Sequence, residues 1–307
     1  MRGTIVKALS GFYYVRIGGS GSSRNRERSG DPGSSVDCVY QCRARGIFKK
    51  EGITPLVGDE AVIDILDEED GFVTEILPRR NSFVRPAVAN IDLFVVTVSV
   101  RDPEPHTEAL DRFLAAAEAA SADALVCVNK ADLGSADFLT DVYDRIYDTL
   151  TVSTLAGSGM DALKDRLADK RSAFAGPSGV GKSSIINFLL GGDDVGGIET
   201  GAISRKTKRG RHTTRHVELF ETDFGAELFD TPGYTSFDGV SVEPAEVAYL
   251  FPEIAALSGK CRFDDCTHTD EPDCAVRDAA RGGEVAESRY DSYCRMLGEA
   301  RARAESF

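Results

Sequence analysis

A glycine-rich segment in the middle of the chain restricts the possible folds more than any other feature. Residues 176–183 have the sequence Gly-Pro-Ser-Gly-Val-Gly-Lys-Ser and match the pattern G-x-x-x-x-G-K-[ST] in full. A strand-like stretch (172–175) precedes the segment, and an apolar helical stretch follows Lys182. Glycines let backbone N–H groups converge on a phosphate, and a helix N-terminus adds positive partial charge. This context predicts a phosphate-binding loop in an α/β domain.

The predicted phosphate-binding residues form one continuous stretch. Lys182 is expected to reach the β- and γ-phosphates of a nucleotide, and the Ser183 hydroxyl is expected to bind Mg²⁺. The full predicted set is Gly176, Pro177, Ser178, Gly179, Val180, Gly181, Lys182, Ser183 and Ser184.

A second motif predicts which base the nucleotide carries. Asn129-Lys130-Ala131-Asp132 follows an apolar strand pattern at 124–128. The Asp132 carboxylate can accept hydrogen bonds from N1 and N2 of guanine, and adenine offers no such pair of donors. Asn129 is expected to brace the loops, and the Lys130 stem to cover one face of the base. Ser153 and Thr154 are similar to the guanine O6-contacting motif of GTPases, which more often has the sequence Ser-Ala.

The order of the motifs is unusual for a GTPase. The base-binding motif at 129 precedes the phosphate loop at 176, whereas in most GTPases it follows that loop. Asp230-Thr-Pro-Gly233 then fits the pattern D-x-x-G. Asp230 is expected to hold Mg²⁺ through water, and the Gly233 N–H to meet the γ-phosphate. Circular permutation explains this order, because chain termini often lie close together in a domain.

The segment between the phosphate loop and D-x-x-G reverses the charge of the chain. The protein has 36 Lys+Arg and 50 Asp+Glu, a formal net charge of −14. Residues 201–217 nevertheless contain no acidic residue, and their basic residues are Arg205, Lys206, Lys208, Arg209, Arg211 and Arg215. We predict that Thr213 or Thr214 completes the coordination of Mg²⁺ when a γ-phosphate is present.

The catalytic group is harder to predict. Tyr234 stands where many GTPases carry a water-orienting glutamine, so hydrolysis is expected to be slow in the isolated protein. His212 is the candidate for positioning or deprotonating water, since its ordinary pKa lies near neutrality. A purely structural His212 is the alternative.

A cluster near the C-terminus predicts a structural metal. Cys261, Cys266, His268 and Cys274 offer three thiolates and one imidazole, a set that suits tetrahedral Zn²⁺ with no open position. The alternative is a polar loop with unligated cysteines. The remaining cysteines are interpreted as packing residues; they are Cys38, Cys42, Cys127 and Cys294.

Patterning along the chain predicts three regions. Residues 1–84 show short β-rich runs at 4–8, 13–17, 61–65 and 72–76, which favour a small barrel, interrupted by a low-complexity loop at 18–37. Strands and amphipathic helices then alternate, which favours a doubly wound α/β domain with a parallel sheet. Two of the predicted helices span 138–149 and, after the cysteines, 284–303. The most apolar run, 93–100, is too short to cross a bilayer, and no signal peptide is evident, so a cytoplasmic location without membrane contact is expected.

Taken together, the ordered motifs resemble those of the ribosome small subunit-dependent GTPase family (RsgA, also called YjeQ). That resemblance implies an OB-fold RNA-binding domain at 1–84, a circularly permuted GTPase domain at 85–242 and a helical zinc domain at 243–307. It implies ribosome-stimulated hydrolysis of GTP to GDP, binding to rRNA, and a role in late maturation of the small ribosomal subunit. In that family a histidine matching His212 is assigned to catalysis. The protein is expected to be a monomer.

Two other functions stay open at this point. The chain could be a nucleotide-gated RNA- or ribosome-binding module with negligible turnover, or a permuted GTPase that acts on the large subunit. The N-terminal barrel and the zinc motif argue against the last of these.

Overall fold

The computed structural model of the chain describes residues 1–18, 38–84, 86–191, 217–230 and 242–306. These residues fall into two compact units whose sequences interleave. The first contains the described parts of 1–93, 160–174 and 182–230, and the second contains 94–159, 175–181 and 242–306. The three domains predicted from the sequence, with boundaries after residues 84 and 242, stay a prediction.

Strands and helices are numbered in chain order. The strands are β1 (Arg2–Leu9), β2 (Phe12–Ile17), β3 (Cys38–Ala44), β4 (Glu60–Ile65), β5 (Asp70–Ile76), β6 (Ser82–Phe83), β7 (Val88–Ala89), β8 (Leu93–Ser99), β9 (Asp123–Asn129), β10 (Asp148–Thr151), β11 (Arg171–Ala175), β12 (Glu218–Glu221) and β13 (Glu227–Asp230). The helices are α1 (Ile47–Lys50), α2 (Thr107–Ala119), α3 (Asp137–Tyr143), α4 (Met160–Leu167), α5 (Lys182–Leu189), α6 (Pro252–Ser258), α7 (Ala275–Gly282) and α8 (Glu287–Ala304). Two 3-10 helices occupy Ala131–Leu133 and Pro244–Leu250.

The first unit contains a closed five-stranded barrel. Its strand order is β1-β2-β3-β5-β4, and β1 also pairs with β4. Alternate residues face inward, so Val15 on β2 and Cys42 on β3 lie in a core with Ile5, Ile63 and Val73. This topology confirms the predicted OB-like barrel.

Two features of the barrel differ from the prediction. Strand β3 was not predicted, because it begins directly after the low-complexity stretch and its apolar residues are mixed with Gln41 and Arg43. Cys38, at the start of β3, is exposed. Its interpretation as a packing residue is therefore wrong, whereas Cys42 and Cys127 are buried as predicted. Residues 19–37 of the predicted loop lie outside the described part of the chain.

The α/β part of the chain confirms the predicted class. In the second unit β9 lies between β8 and β10 and runs parallel to β10, and every residue of β8 is buried. In the first unit β11 and β13 are parallel, and β12 pairs with β13 in the antiparallel sense. Helix α3 ends at Tyr143 instead of Thr149, because the chain enters β10 at Asp148 to pair with Leu125 on β9.

The C-terminal helices belong to the second unit. The helix predicted at 284–303 is α8, which begins at Glu287, and α7 before it was not predicted. Gly283, whose φ is +76°, separates the two helices in a left-handed conformation that favours glycine. Phe251, Ile254, Val276 and Tyr293 form the centre of the apolar core here. No helix in the described ranges has both the length and the apolar character that a membrane span requires.

Candidate nucleotide and metal sites

Asn129 joins loops that are far apart in the sequence. It is fully buried at the end of β9, and its Nδ2 donates to the carbonyl oxygen of Val180 at 2.9 Å. Its Oδ1 accepts a hydrogen bond from the backbone N–H of Thr154 at 3.4 Å. One amide therefore ties together the three segments that the sequence predicts to hold a base and phosphates.

The Asp132 carboxylate is exposed but held in place. Ser153, which is fully buried, donates its hydroxyl to Oδ1 of Asp132 and accepts a hydrogen bond from the N–H of Ala156 at 3.1 Å. The N–H of Ala131 donates to the carbonyl oxygen of Val152 at 3.1 Å, which fixes the start of the turn. The carboxylate is thus oriented by the protein and accessible to a ligand.

The side chain of Lys130 contacts the loop that follows β8. Lys130 has a left-handed backbone with φ of +62°, and its Nζ donates to the carbonyl oxygen of Asp102. The hydroxyl of Ser99 donates to the carbonyl oxygen of Pro103 at 2.8 Å. No nucleotide-binding motif in the sequence marks this loop.

Two glycines of the predicted phosphate loop are required by close contacts. A Cβ on Gly176 would overlap the Thr97 carbonyl, and one on Gly181 would overlap the side chain of Asn129. Both residues also have positive φ, +138° and +97° respectively. Only glycine meets both demands, and this lets the loop pass close to Thr97 on β8 and to Asn129.

Helix α5 starts at Lys182, directly after these glycines in the chain. Lys182 is only 9% exposed, and burial lowers the pKa of its amine to about 8. Ser183 and Ser184 are exposed in the first turn of the helix. The amine of Lys182 therefore loses its proton at a lower pH than an exposed lysine does.

Part of the predicted site lies outside the described residues. These residues are His212, Thr213, Thr214 and Gly233. For Asp230, only the backbone at the end of β13 is described, so its side chain also lies outside.

The predicted metal ligands converge. Their ligand atoms all lie within 4.8 Å of one another. Sγ of Cys261 is 3.8 Å from Sγ of Cys274 and 3.4 Å from Nδ1 of His268, and Sγ of Cys274 is 3.5 Å from the same nitrogen. Two sulfurs bound tetrahedrally at ~2.3 Å from zinc would be ~3.8 Å apart. The donor set and its spacing therefore fit one Zn²⁺.

Residues that the sequence analysis did not assign to a site hold the metal loop. Tyr290 and Tyr293 of α8 donate their hydroxyls to the carbonyl oxygens of His268 (2.8 Å) and Thr267 (2.7 Å). Glu271 accepts hydrogen bonds from the hydroxyl and N–H of Thr267 and the N–H of Thr269. Burial raises the pKa of Glu271, but these hydrogen bonds outweigh it and lower the pKa to about 2. The sequence signal for this role was a glutamate, Glu271, close to two threonines in a short loop, where it can accept their hydrogen bonds.

A buried ion pair was also missed. Arg289 and Asp111 are both fully buried, and Nη1 of Arg289 lies 2.8 Å from Oδ1 of Asp111. The same guanidinium binds both oxygens of Glu253, at 2.7 and 3.0 Å. Burial lowers the pKa of Arg289, but Asp111 and Glu253 outweigh it and keep the pKa well above its ordinary value. No local pattern marks such a pair, because its partners come from α2, α6 and α8.

A cavity of about 830 Å³ lies in the first unit. Most of its acidic and basic lining residues bind one another. Arg171 contacts Glu227 at 2.8 Å and Glu60 at 3.6 Å, and Arg16 contacts Glu227 and Glu221. The pairing indicates that these residues stabilise the unit.

The chain is similar to known proteins over nearly its whole length. A family model described as RsgA GTPase matches residues 76–240, and one described as RsgA N-terminal domain matches residues 34–73. The small ribosomal subunit biogenesis GTPase RsgA of Caldanaerobacter subterraneus subsp. tengcongensis is 39% identical over 307 residues, which is 99% of this chain and 97% of the relative. The protein of the same name from Agathobacter rectalis is 40% identical, with 99% of each chain covered.

The chain is also similar to solved structures over nearly its whole length. The crystal structure of YjeQ from Thermotoga maritima superposes with a TM-score of 0.76 at 31% identity and covers 97% of this chain and 98% of that one. The crystal structure of YloQ, described as a circularly permuted GTPase, gives a TM-score of 0.73 at 35% identity, with 98% and 95% covered.

Proposed function

The chain belongs to the RsgA GTPase family, and from this premise we propose that it hydrolyses GTP to GDP and acts in the biogenesis of the small ribosomal subunit. The observation that carries the proposal is the buried side chain of Asn129. It joins the phosphate-binding and base-binding segments through hydrogen bonds to Val180 and Thr154. The motif order, with the base-binding segment first, is that of a permuted GTPase.

Guanine recognition is assigned to the loops around Asp132. Its carboxylate, oriented by Ser153, accepts the N1 and N2 hydrogens of guanine, and the stem of Lys130 covers one face of the base. Thr154 is assigned to the contact with O6 of guanine. These roles are supported by the accessible position of Asp132 beside a rigid turn.

Phosphate binding is assigned to residues 176–184. The backbone N–H groups around Gly176 and Gly181 and the amine of Lys182 bind the β- and γ-phosphates. Mg²⁺, which neutralises charge on the phosphate oxygens, would be held by Ser183, Thr213 or Thr214, and Asp230. His212 would orient the attacking water, and the Gly233 N–H would contact the γ-phosphate.

Zn²⁺ is assigned to Cys261, Cys266, His268 and Cys274 as a structural ion, since all four ligands come from protein and leave no open position. The partners proposed for the protein are the small ribosomal subunit with its rRNA, and GTP or GDP. We further propose a cytoplasmic, monomeric protein.

The first test is GTP turnover with and without purified small ribosomal subunits. We expect a many-fold stimulation, because Tyr234 replaces the usual water-orienting glutamine and another group must assist. Large subunits are the control. Equal rates in all three conditions would favour a nucleotide-gated binding module, and stimulation by large subunits alone would contradict the assignment of the small subunit.

The second test is co-sedimentation with separated subunits. We expect more protein to sediment with small subunits in a non-hydrolysable GTP analogue than in GDP, because the basic segment at 201–217 adjoins the γ-phosphate site in the sequence. Equal binding with both nucleotides would show that the γ-phosphate does not control this interaction.

GDP affinity should fall as the pH rises above about 8. The pKa of Lys182 is lowered from 10.5 to about 8 by burial, and phosphate binds the protonated amine. Above that pH the amine must take up a proton on binding, so affinity falls by up to about tenfold per pH unit. The same pKa difference affects the stability of the protein without nucleotide. Between about pH 8 and pH 10.5 the Lys182 amine is protonated in the unfolded chain but not in the folded one, so the free energy of unfolding rises with pH over this interval.

The measurement is a titration with a fluorescent GDP analogue at a series of pH values. The control is Lys182→Arg, whose guanidinium stays protonated. Any pH dependence that remains in this variant comes from the guanine base of the nucleotide. An identical pH profile for both proteins would contradict the role of the buried amine.

A further inference from the structure

Two parts of the second unit share a single buried oxygen atom. Oδ1 of Asp111 accepts the hydroxyl of Tyr143 at 2.7 Å and Nη1 of Arg289 at 2.8 Å. All three side chains are buried, and Oδ2 of Asp111 has no hydrogen-bond partner among the described residues. The carboxylate is therefore held through one oxygen, and a shift of either partner changes the bond to the other.

Tyr143 connects this oxygen to the base-binding loop. It is the last residue of α3, which begins four residues after the turn Ala131–Leu133. Leu139 in the middle of α3 is also fully buried, so two side chains of the short helix, Leu139 and Tyr143, are anchored in the protein interior. The segment from Ala131 to Tyr143 is thus fixed near its start by the Ala131–Val152 hydrogen bond and at its end by Asp111.

Arg289 connects the same oxygen to the C-terminal helix. Its guanidinium also binds Glu253 with two hydrogen bonds and lies 4.7 Å from the ring centre of Phe251. On the same helix, Tyr290 and Tyr293 bind the backbone of the metal loop. Helix α8 therefore holds the metal loop and supplies the cation that keeps Asp111 in place.

We propose that Arg289 is a positioning residue for guanine recognition, which acts through Asp111 and Tyr143 to hold α3 and the Asp132 carboxylate. The proposal rests on the guanine site assigned above. Without the guanidinium, Asp111 would be a buried carboxylate with no countercharge from Arg289 and would move or protonate. The anchor of α3 would loosen, and Asp132 would lose its alignment with the two guanine hydrogens.

The readout is the ratio of the affinities for GDP and IDP. Hypoxanthine lacks the 2-amino group of guanine, so the ratio measures the contact between Asp132 and that group. Both ligands carry the same ribose and phosphates, so damage to the phosphate loop or general destabilisation lowers both affinities together and leaves the ratio unchanged.

The experiment compares full-length proteins by equilibrium binding. Tyr143→Phe removes only the hydroxyl that binds Asp111, and Arg289→Lys keeps the charge but cannot bind Asp111 and both oxygens of Glu253 together. The matched control is Tyr14→Phe, which removes a tyrosine hydroxyl that donates to Gln41 at 3.0 Å in the barrel.

We expect the preference for GDP over IDP to fall at least threefold in Tyr143→Phe and in Arg289→Lys, and to be unchanged in Tyr14→Phe. If Arg289→Lys does not fold, Tyr143→Phe decides. If Tyr143→Phe has the same ratio of GDP to IDP affinity as the wild-type protein, the proposal is overturned, whether both affinities are unchanged or both fall equally. The assignment of guanine recognition to Asp132 would not be affected by that result. A wild-type protein without any preference for GDP would overturn both.

Discussion

Asp132→Asn should lower GTP affinity by about a thousandfold and raise affinity for XTP. The carboxylate of Asp132 is exposed and held by Ser153, so it can accept both guanine hydrogens. Each hydrogen bond to a charged group contributes about 1.5–3 kcal/mol, and two such bonds account for an effect of this size. Xanthine has a carbonyl in place of the 2-amino group, and an asparagine amide can donate to it.

Equilibrium binding of GTP, XTP and ATP to both proteins measures the effect. Asp161→Asn is the matched control, because Asp161 on α4 has a side chain that is 99% exposed and only a 4.0 Å contact to Lys164. A variant at position 132 that still prefers GTP would refute the assignment of guanine recognition to this residue.

Loss of the metal should have an effect of similar or greater size. Structural zinc contributes about 10–16 kcal/mol to the folding of small zinc-binding peptides. Here three sulfurs and one nitrogen lie within 4.8 Å of one another. Without an ion, the loop would lose the metal bonds that join these four side chains. We expect chelation, or Cys266→Ser, to lower the thermal unfolding temperature by well over 10 °C and to release one zinc per chain.

Zinc content by atomic absorption and thermal unfolding by circular dichroism are the measurements. Cys38→Ser is the control, because Cys38 is an exposed cysteine on β3 of the barrel. Purified protein that holds no zinc, or whose unfolding temperature does not respond to chelation, would contradict a structural ion at this site.

Residues close together in the chain were predictable from their order and spacing. The phosphate loop lies between a strand and a helix, and the metal ligands fall within fourteen residues of sequence, so local patterns carry their chemistry. The barrel was predicted from short alternating runs, but β3 was missed because only pairing with β2 and β5 makes it a strand. The end of α3 was misplaced for the same reason, since pairing of β10 with β9 sets it.

Contacts between distant residues could not be predicted in this way. Glu253 and Arg289 are 36 positions apart, and Arg289 and Asp111 are 178 apart. An arginine in an amphipathic helix such as α8 has the same sequence signature whether it faces solvent or a buried carboxylate. Burial is a property of the packed helices, so no pattern within α8 distinguishes the two.

The linear order of motifs was therefore enough to indicate the family and the permuted arrangement and to predict the nucleotide and the metal, because each motif keeps its chemistry within a few residues. The sequence also predicted that Asn129 braces the loops, but only the packed structure revealed its partners Val180 and Thr154. The meeting of Arg289, Asp111 and Tyr143 at one atom was likewise visible only in the packed structure. Such contacts form between segments that approach only when the apolar faces of strands and helices are buried together, and the chain order does not record that approach.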